Sequence, residues 1–325
     1  MKKFLTTVFA AMIALFGLAT IADIIVSKGL SRADKGPHYT FNRLMNERMD
    51  NDVIILGNSR AQCSYCPSVI DSVLGTNSRN LGVSGQPFGV SNFRWSLYQR
   101  NNVMPELVII NMDYMELSVN HKGVDQEQYY PYVNDPRASW AINANDFSWL
   151  DRNCPMYRYR GDYKLITVAL AAFAGKQLFS KWDSNLCKGY ANVDSPWDGF
   201  EFAKQLAKND TLTGACEPEA VVMLDSLCNK LKLDSVAVIF VYAPIFKGVL
   251  DHLNQEVPMA AYRDISEKYG IPMLNYTDME LCSDSTNFYN ALHINNKSAR
   301  FFSRQLAEDI ASLGIFAETK EVIAE

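Results

Sequence analysis

Two kinds of apolar pattern divide this chain. The first is one unbroken run: residues 4–22 are 19 positions without a charge, preceded by Lys2 and Lys3, interrupted at Asp23 and resumed by Ile24-Ile25-Val26. At 1.5 Å per residue that length matches the hydrocarbon core of a bilayer, and the flanking lysines favour a cytoplasmic N-terminus. Residues 1–26 are therefore expected to be a membrane-anchoring helix carrying an extracytoplasmic (periplasmic or cell-surface) body. The competing reading is a signal peptide cut after Gly17-Leu18-Ala19, which leaves a secreted protein. A later apolar stretch, 166–174, has about half the length a span requires.

The second pattern begins after a polar segment, 27–50, that reads as a tether with a short helix at 42–49. The continuous apolar run at 53–56 predicts a strand buried on both faces, and further strands are read at 79–83, 107–110, 236–242 and 272–274. Between and after them, amphipathic stretches at 61–74, 91–100, 218–231, 262–269 and 296–313 predict helices. Strands alternating with helices through short connections imply an α/β doubly wound parallel sheet of about five strands. Residues 51–325 are expected to form this domain. It is interrupted at about 121–215 by a segment too long for a structureless loop, and so by a folded insertion or cap. The insertion holds four of the five tryptophans (Trp140, Trp149, Trp182 and Trp197), together with Tyr129-Tyr130-Pro131-Tyr132 and Tyr157-Arg158-Tyr159-Arg160. These rings suit either a cleft that stacks on sugars or the insertion's own small core.

Composition narrows the choices. The 325 residues are 48% hydrophobic, enough for a large core, and carry a net charge of −5 without a dense basic cluster, which argues against nucleic acid as a partner. Seven cysteines include Cys63-Ser64-Tyr65-Cys66, a C-x-x-C that would suit thiol redox chemistry, a local disulfide or two packed thiols. The four histidines are scattered and no second close Cys or His pair exists, so neither a metal nor another cofactor is expected.

The chemistry concentrates where strands end. The run DVIILGNSR closes an apolar strand on Gly57-Asn58-Ser59, and Arg60 opens a helix; some 230 residues later comes Asn290-Ala291-Leu292-His293. A serine at a strand-to-helix turn has an exposed hydroxyl and a backbone N–H at the positive end of a helix. A histidine on a late loop is the usual base for such a serine. In doubly wound sheets ligands bind beyond the carboxyl ends of the strands, where Ser59, Gly85 and Asp113 fall together.

These blocks resemble the SGNH (GDSL-like) hydrolase superfamily, more narrowly its membrane-anchored branch acting on cell-envelope polymers, such as proteins of alginate acetylation or teichoic-acid alanylation. The resemblance covers about 52–113 and 235–313. LGNSR is similar to the family's first block, NLGVSG to the second, INMDY to the third and NALHIN to the last. It implies a strand order 2-1-3-4-5, Ser59 as nucleophile, His293 as base and Gly85 as a backbone donor to the oxyanion. Asn111 or Asp113 would occupy the position of a side-chain donor, and Arg60 would meet an anionic substrate group or remain a solvated helix-start residue. Three positions depart from the family pattern: Asn58 for a common Asp, Asp113 for an Asn, and Asn290 for the triad acid, with Asp284 and Asp113 as replacement carboxylates. The expected function is that of a serine esterase or O-acyltransferase acting on acylated envelope glycan through an acyl-serine. The alternative is a weak or inactive module of the same fold that binds glycan or an envelope-assembly partner.

Overall fold

Four consecutive buried aliphatic residues, Val53–Leu56 (β1), form an inner strand of a five-stranded sheet. In the computed structural model, which describes residues 1–34, 36, 38–119, 125–178, 186–208 and 211–316, this strand is flanked by two others. They are β2 (Ser78–Asn80) and β3 (Leu107–Asn111), both parallel to it. The sheet continues through β4 (Ala237–Tyr242) to β5 (Met273–Asn275), also parallel, so the order is β2-β1-β3-β4-β5. That order is the 2-1-3-4-5 expected. Leu107–Asn111 is buried at every position, as a strand covered by helices on both faces must be.

The strands are joined by helices that lie against the sheet. The helix expected at 61–74 is two helices, α2 (Ser59–Ser64) and α3 (Pro67–Leu74). Pro67 has no N–H to donate and disfavours helical backbone at Cys66, so the chain breaks there and restarts with proline in the first turn. Further on come α4 (Phe88–Asn101), α5 (Pro218–Leu233), α6 (Glu256–Tyr269) and α7 (Asn296–Ser312). Phe302, Leu306 and Ile310 of α7, spaced by four, join Val53, Ile55, Ile70 and Ile109 in one buried cluster. A short hairpin, β6 (Phe288–Asn290) with β7 (His293–Ile294), precedes α7.

The chain divides into two units: 48–121 with 185–325 forms the sheet-bearing unit, and 1–47 with 122–184 the other. In the second unit a helix, α1 (Lys2–Leu30), carries a mean hydropathy of 2.3 over its most apolar window and is long and apolar enough to cross a membrane. Asp23, the charge that interrupts its apolar run, is held by Arg158 at 2.6 Å. The tyrosine clusters of this unit are largely its own core: Tyr129 and Tyr132 meet the buried Phe41 edge-on at 4.9 and 5.5 Å, and Tyr130 meets Tyr159. Trp149 is exposed, Trp197 belongs to the sheet-bearing unit and packs there on Phe246, and Trp182 lies outside the described residues.

Candidate functional site

The turn after β1 is built on glycine. Gly57 has φ +149°, and a β-carbon there would sit 2.6 Å from the Ala61 side chain and 2.8 Å from that of Asn111. No other residue fits so close a pass between strand and helix. Asn58, not Ser59, is the N-cap of α2: its side chain accepts from the Arg60 N–H at 2.9 Å. Ser59 is thereby released from capping, and its hydroxyl is free for another partner.

That partner is the imidazole of His293. The Ser59 Oγ lies 2.8 Å from His293 Nε2, and His293 Nδ1 lies 2.8 Å from Asn290 Oδ1. The hairpin explains how one strand end supplies both residues. Phe288 and Ile294 face the core, so alternation turns Tyr289 and His293 to the opposite face. An irregularity in the pairing between Phe288 and Asn290 then lets Asn290 sit directly across from His293.

The direction of these hydrogen bonds follows from one backbone group. Asn290 Oδ1 also accepts the Leu292 N–H, at 3.0 Å. A backbone N–H can only donate, so the oxygen of the amide must face it, and the same oxygen faces the ring. Nδ1 must then carry the proton and donate it to Asn290. That leaves Nε2 with its lone pair toward the serine, which is the tautomer a general base needs. Burial first, then the Arg60 charge, push the imidazole down to about 4, against a smaller opposing pull from Asp113. The ring is neutral at neutral pH. Neither replacement carboxylate reaches it: Asp284 caps Thr286, and Asp113 is engaged by Arg60.

Arg60 is the largest departure from expectation. It is neither solvated nor open to an anionic ligand: it is 1% exposed, donates to Asp113 at 3.1 Å and to the Ala243 carbonyl, and lies over the Tyr242 ring at 4.8 Å. Asp113, itself buried, spends its other oxygen on the Met115 N–H at 2.9 Å. It is a charge partner, and the repulsion expected of a carboxylate facing an oxyanion does not arise. Asn111 accepts the Tyr65 hydroxyl on Oδ1 at 2.8 Å, and its Nδ2 is buried without a well-formed acceptor. Both third-block residues thus point into the protein. Gly85 is exposed, in a turn with φ +66° that favours glycine.

Several side chains that build the site carried no recognisable signal in the sequence. Asn80 at the end of β2 donates to the carbonyls of Ala61 in α2 and of Tyr65 at its C-cap and accepts from Gly82, which fixes the second loop against the nucleophile helix. Glu116 is fully buried, accepts from Ser91 at 3.3 Å, and faces Asn111 and the Asn58 N–H. Burial, then the Asp113 charge, raise its carboxyl well above the usual range. Tyr289 lies flat on the His293 ring, with centroids 5.3 Å apart and planes 15° from parallel. Cys63 and Cys66 are both buried free thiols, and burial pushes Cys63 up to about 11. A thiolate is the reactive form, so this C-x-x-C is unsuited to redox exchange. Among the described residues no cluster of His, Cys, Asp and Glu could hold a metal ion.

No protein-family model matches the chain, and no curated protein matches it. Among solved structures it is similar to a protein assigned as an acylhydrolase from Bacteroides fragilis (12% identity, TM-score 0.34, covering 82% of this chain and 88% of that one). It is similar also to a GDSL-like lipase from Bacteroides thetaiotaomicron (12%, 0.35, 81% and 88%). A third is the acetyl xylan esterase Est2A from Butyrivibrio proteoclasticus (11%, 0.33, 83% and 65%). Likeness this distant leaves the function to be argued from the site itself.

Proposed function

We propose that the protein is a serine esterase or O-acyltransferase working through an acyl-Ser59 intermediate. The observation that carries this reading is the hydrogen-bonded line Ser59–His293–Asn290, with the base in its accepting tautomer. Ser59 Oγ attacks the ester carbonyl carbon while its proton passes to His293 Nε2. The tetrahedral intermediate collapses, the C–O bond to the leaving alcohol breaks, and His293 returns the proton to that oxygen. Water or a second hydroxyl, deprotonated by His293, then attacks the acyl carbon; the bond from that carbon to Ser59 Oγ breaks, His293 returns the proton to Oγ, and an acid or a new ester is released.

The oxyanion would be met by the backbone N–H groups of Ser59 and Gly85. Supporting this, Leu81 and Val83 donate to the carbonyls of Ile55 and Gly57, which holds the start of the second loop against the strand end that carries Ser59. Asn111 is not part of the proposed hole, because its amide nitrogen is sealed from solvent. The long apolar helix behind Lys2 and Lys3 supports a membrane-anchored, extracytoplasmic protein. An acylated envelope glycan is the substrate class this location suggests.

Labelling with a fluorophosphonate tests the reading. Wild-type protein is expected to be labelled and Ser59→Ala not. A folded wild type that resists the probe would leave only the binding-module alternative.

A further inference from the structure

Helix α2 and the β6–β7 hairpin are joined by two parallel rungs, only one of which the chemistry uses. The first is Ser59 to His293. The second lies four residues on in the helix and four back in the hairpin: the Tyr289 hydroxyl donates to Cys63 Sγ at 3.4 Å. Residues four apart share one face of a helix, so Ser59 and Cys63 present their side chains to the hairpin together. Tyr289 also stacks on the ring of His293, so a single side chain touches both rungs. Cys63 is 6% exposed, and both it and Tyr289 are raised by burial, which keeps a neutral O–H donor against a neutral sulfur.

The geometry points to Tyr289 as a positioning residue for the base: its ring fixes the plane of the His293 imidazole, and its tether to Cys63 fixes the height of the hairpin along the nucleophile helix. The inference rests on the acyl-transfer reading above and deepens it. Without the charge of a triad aspartate to lock the ring, His293 is held by one neutral hydrogen bond at Nδ1, and the stacked phenol supplies the missing constraint. An imidazole free to tilt would lose the 2.8 Å contact to Ser59, and displacement of a reacting group by about 1 Å can slow a reaction about a hundredfold. The other ionisable groups facing this cluster are Arg60 and Asp113 toward His293, and Tyr190 toward Tyr289.

The experiment uses the full chain and four variants: Tyr289→Phe, Cys63→Ala, the double variant, and Tyr289→Leu. Two quantities are read: the rate of fluorophosphonate labelling at pH 7, and the His293 titration by NMR, assigned among only four histidines with His293→Gln. Tyr289→Phe and Cys63→Ala each remove the same weak hydrogen bond, so each is expected to slow labelling about fivefold, and the double variant no further. Tyr289→Leu removes the ring as well. It is expected to slow labelling at least tenfold and to move the imidazole from about 4 toward its ordinary 6.5.

Single variants within twofold of wild type would overturn the tether, as would a double variant whose loss is the product of the two. An imidazole that still titrates near 4 in Tyr289→Leu would overturn the stacking role. If the wild type were not labelled at all, the acyl chemistry would fail by itself, and the titration would still decide for or against Tyr289.

Discussion

Replacing Asn290 by aspartate offers the sharpest test of the site. The substitution keeps the oxygen that faces His293 Nδ1 and adds a full charge at 2.8 Å. Exchanging a neutral for a charged acceptor strengthens a hydrogen bond by about 1 kcal/mol once desolvation is counted. A Coulombic upper bound, for charge centres about 4 Å apart at an effective dielectric of 20, is about 4 kcal/mol. At 1.36 kcal/mol per tenfold, the two figures bracket a gain of about 5- to 1000-fold in the rate of a step that forms imidazolium. In a trypsin-type triad the reverse change, Asp→Asn, costs about 10⁴-fold because the tautomer is lost along with the charge. Here the Leu292 N–H already dictates the tautomer, so only the charge is missing and the gain must fall short of 10⁴. Initial rates of p-nitrophenyl acetate hydrolysis as a function of pH measure it. The acid limb should rise with the imidazole, from about 4 to nearly 5, for a gain at the lower bound. An unchanged rate would mean that the proton does not pass through His293. A gain of 10⁴ or more would mean that Leu292 does not hold the amide.

Three further outcomes follow. The unfolded chain binds a proton at His293 near pH 6.5 and the folded chain only near 4, so stability should fall as pH drops through that window, by at most about 3 kcal/mol. Urea titrations of wild type and His293→Gln would show it as a difference confined to that range, and a parallel pair of curves would refute it. Asp113→Asn leaves the Arg60 guanidinium buried without its counter-charge and should destabilise the protein by about 3–5 kcal/mol; a loss under 1 kcal/mol would refute the pairing. Iodoacetamide at pH 7 should modify the exposed Cys187 well before the buried Cys63, and fast labelling of Cys63 would restore a redox role.

The sequence alone determined the inner strands, because a parallel strand covered on both faces must be continuously apolar. Val53–Leu56 could be read as it stands and Leu107–Asn111 to within one residue, whereas the edge strand Ser78–Asn80, which is polar, was expected at 79–83. It determined Ser59 and His293 as candidates as well, since a strand that ends in Gly-Asn-Ser and a late histidine before a helix are local signals. It marked Asn290 as an anomaly without saying what the anomaly does. Tertiary structure decided the rest. Arg60 reads as a surface residue at a helix start, and only its partners Asp113 and Ala243, 53 and 183 positions away, make burial of its charge tolerable. The tautomer of His293 depends on a backbone N–H whose direction no pattern of side chains records. Tyr289 and Cys63 meet across 226 positions, through a hairpin irregularity and one helical turn. Periodicity is a property of neighbours along the chain, whereas pairing of charges, choice of tautomer and orientation of a base are settled by groups that only folding brings together.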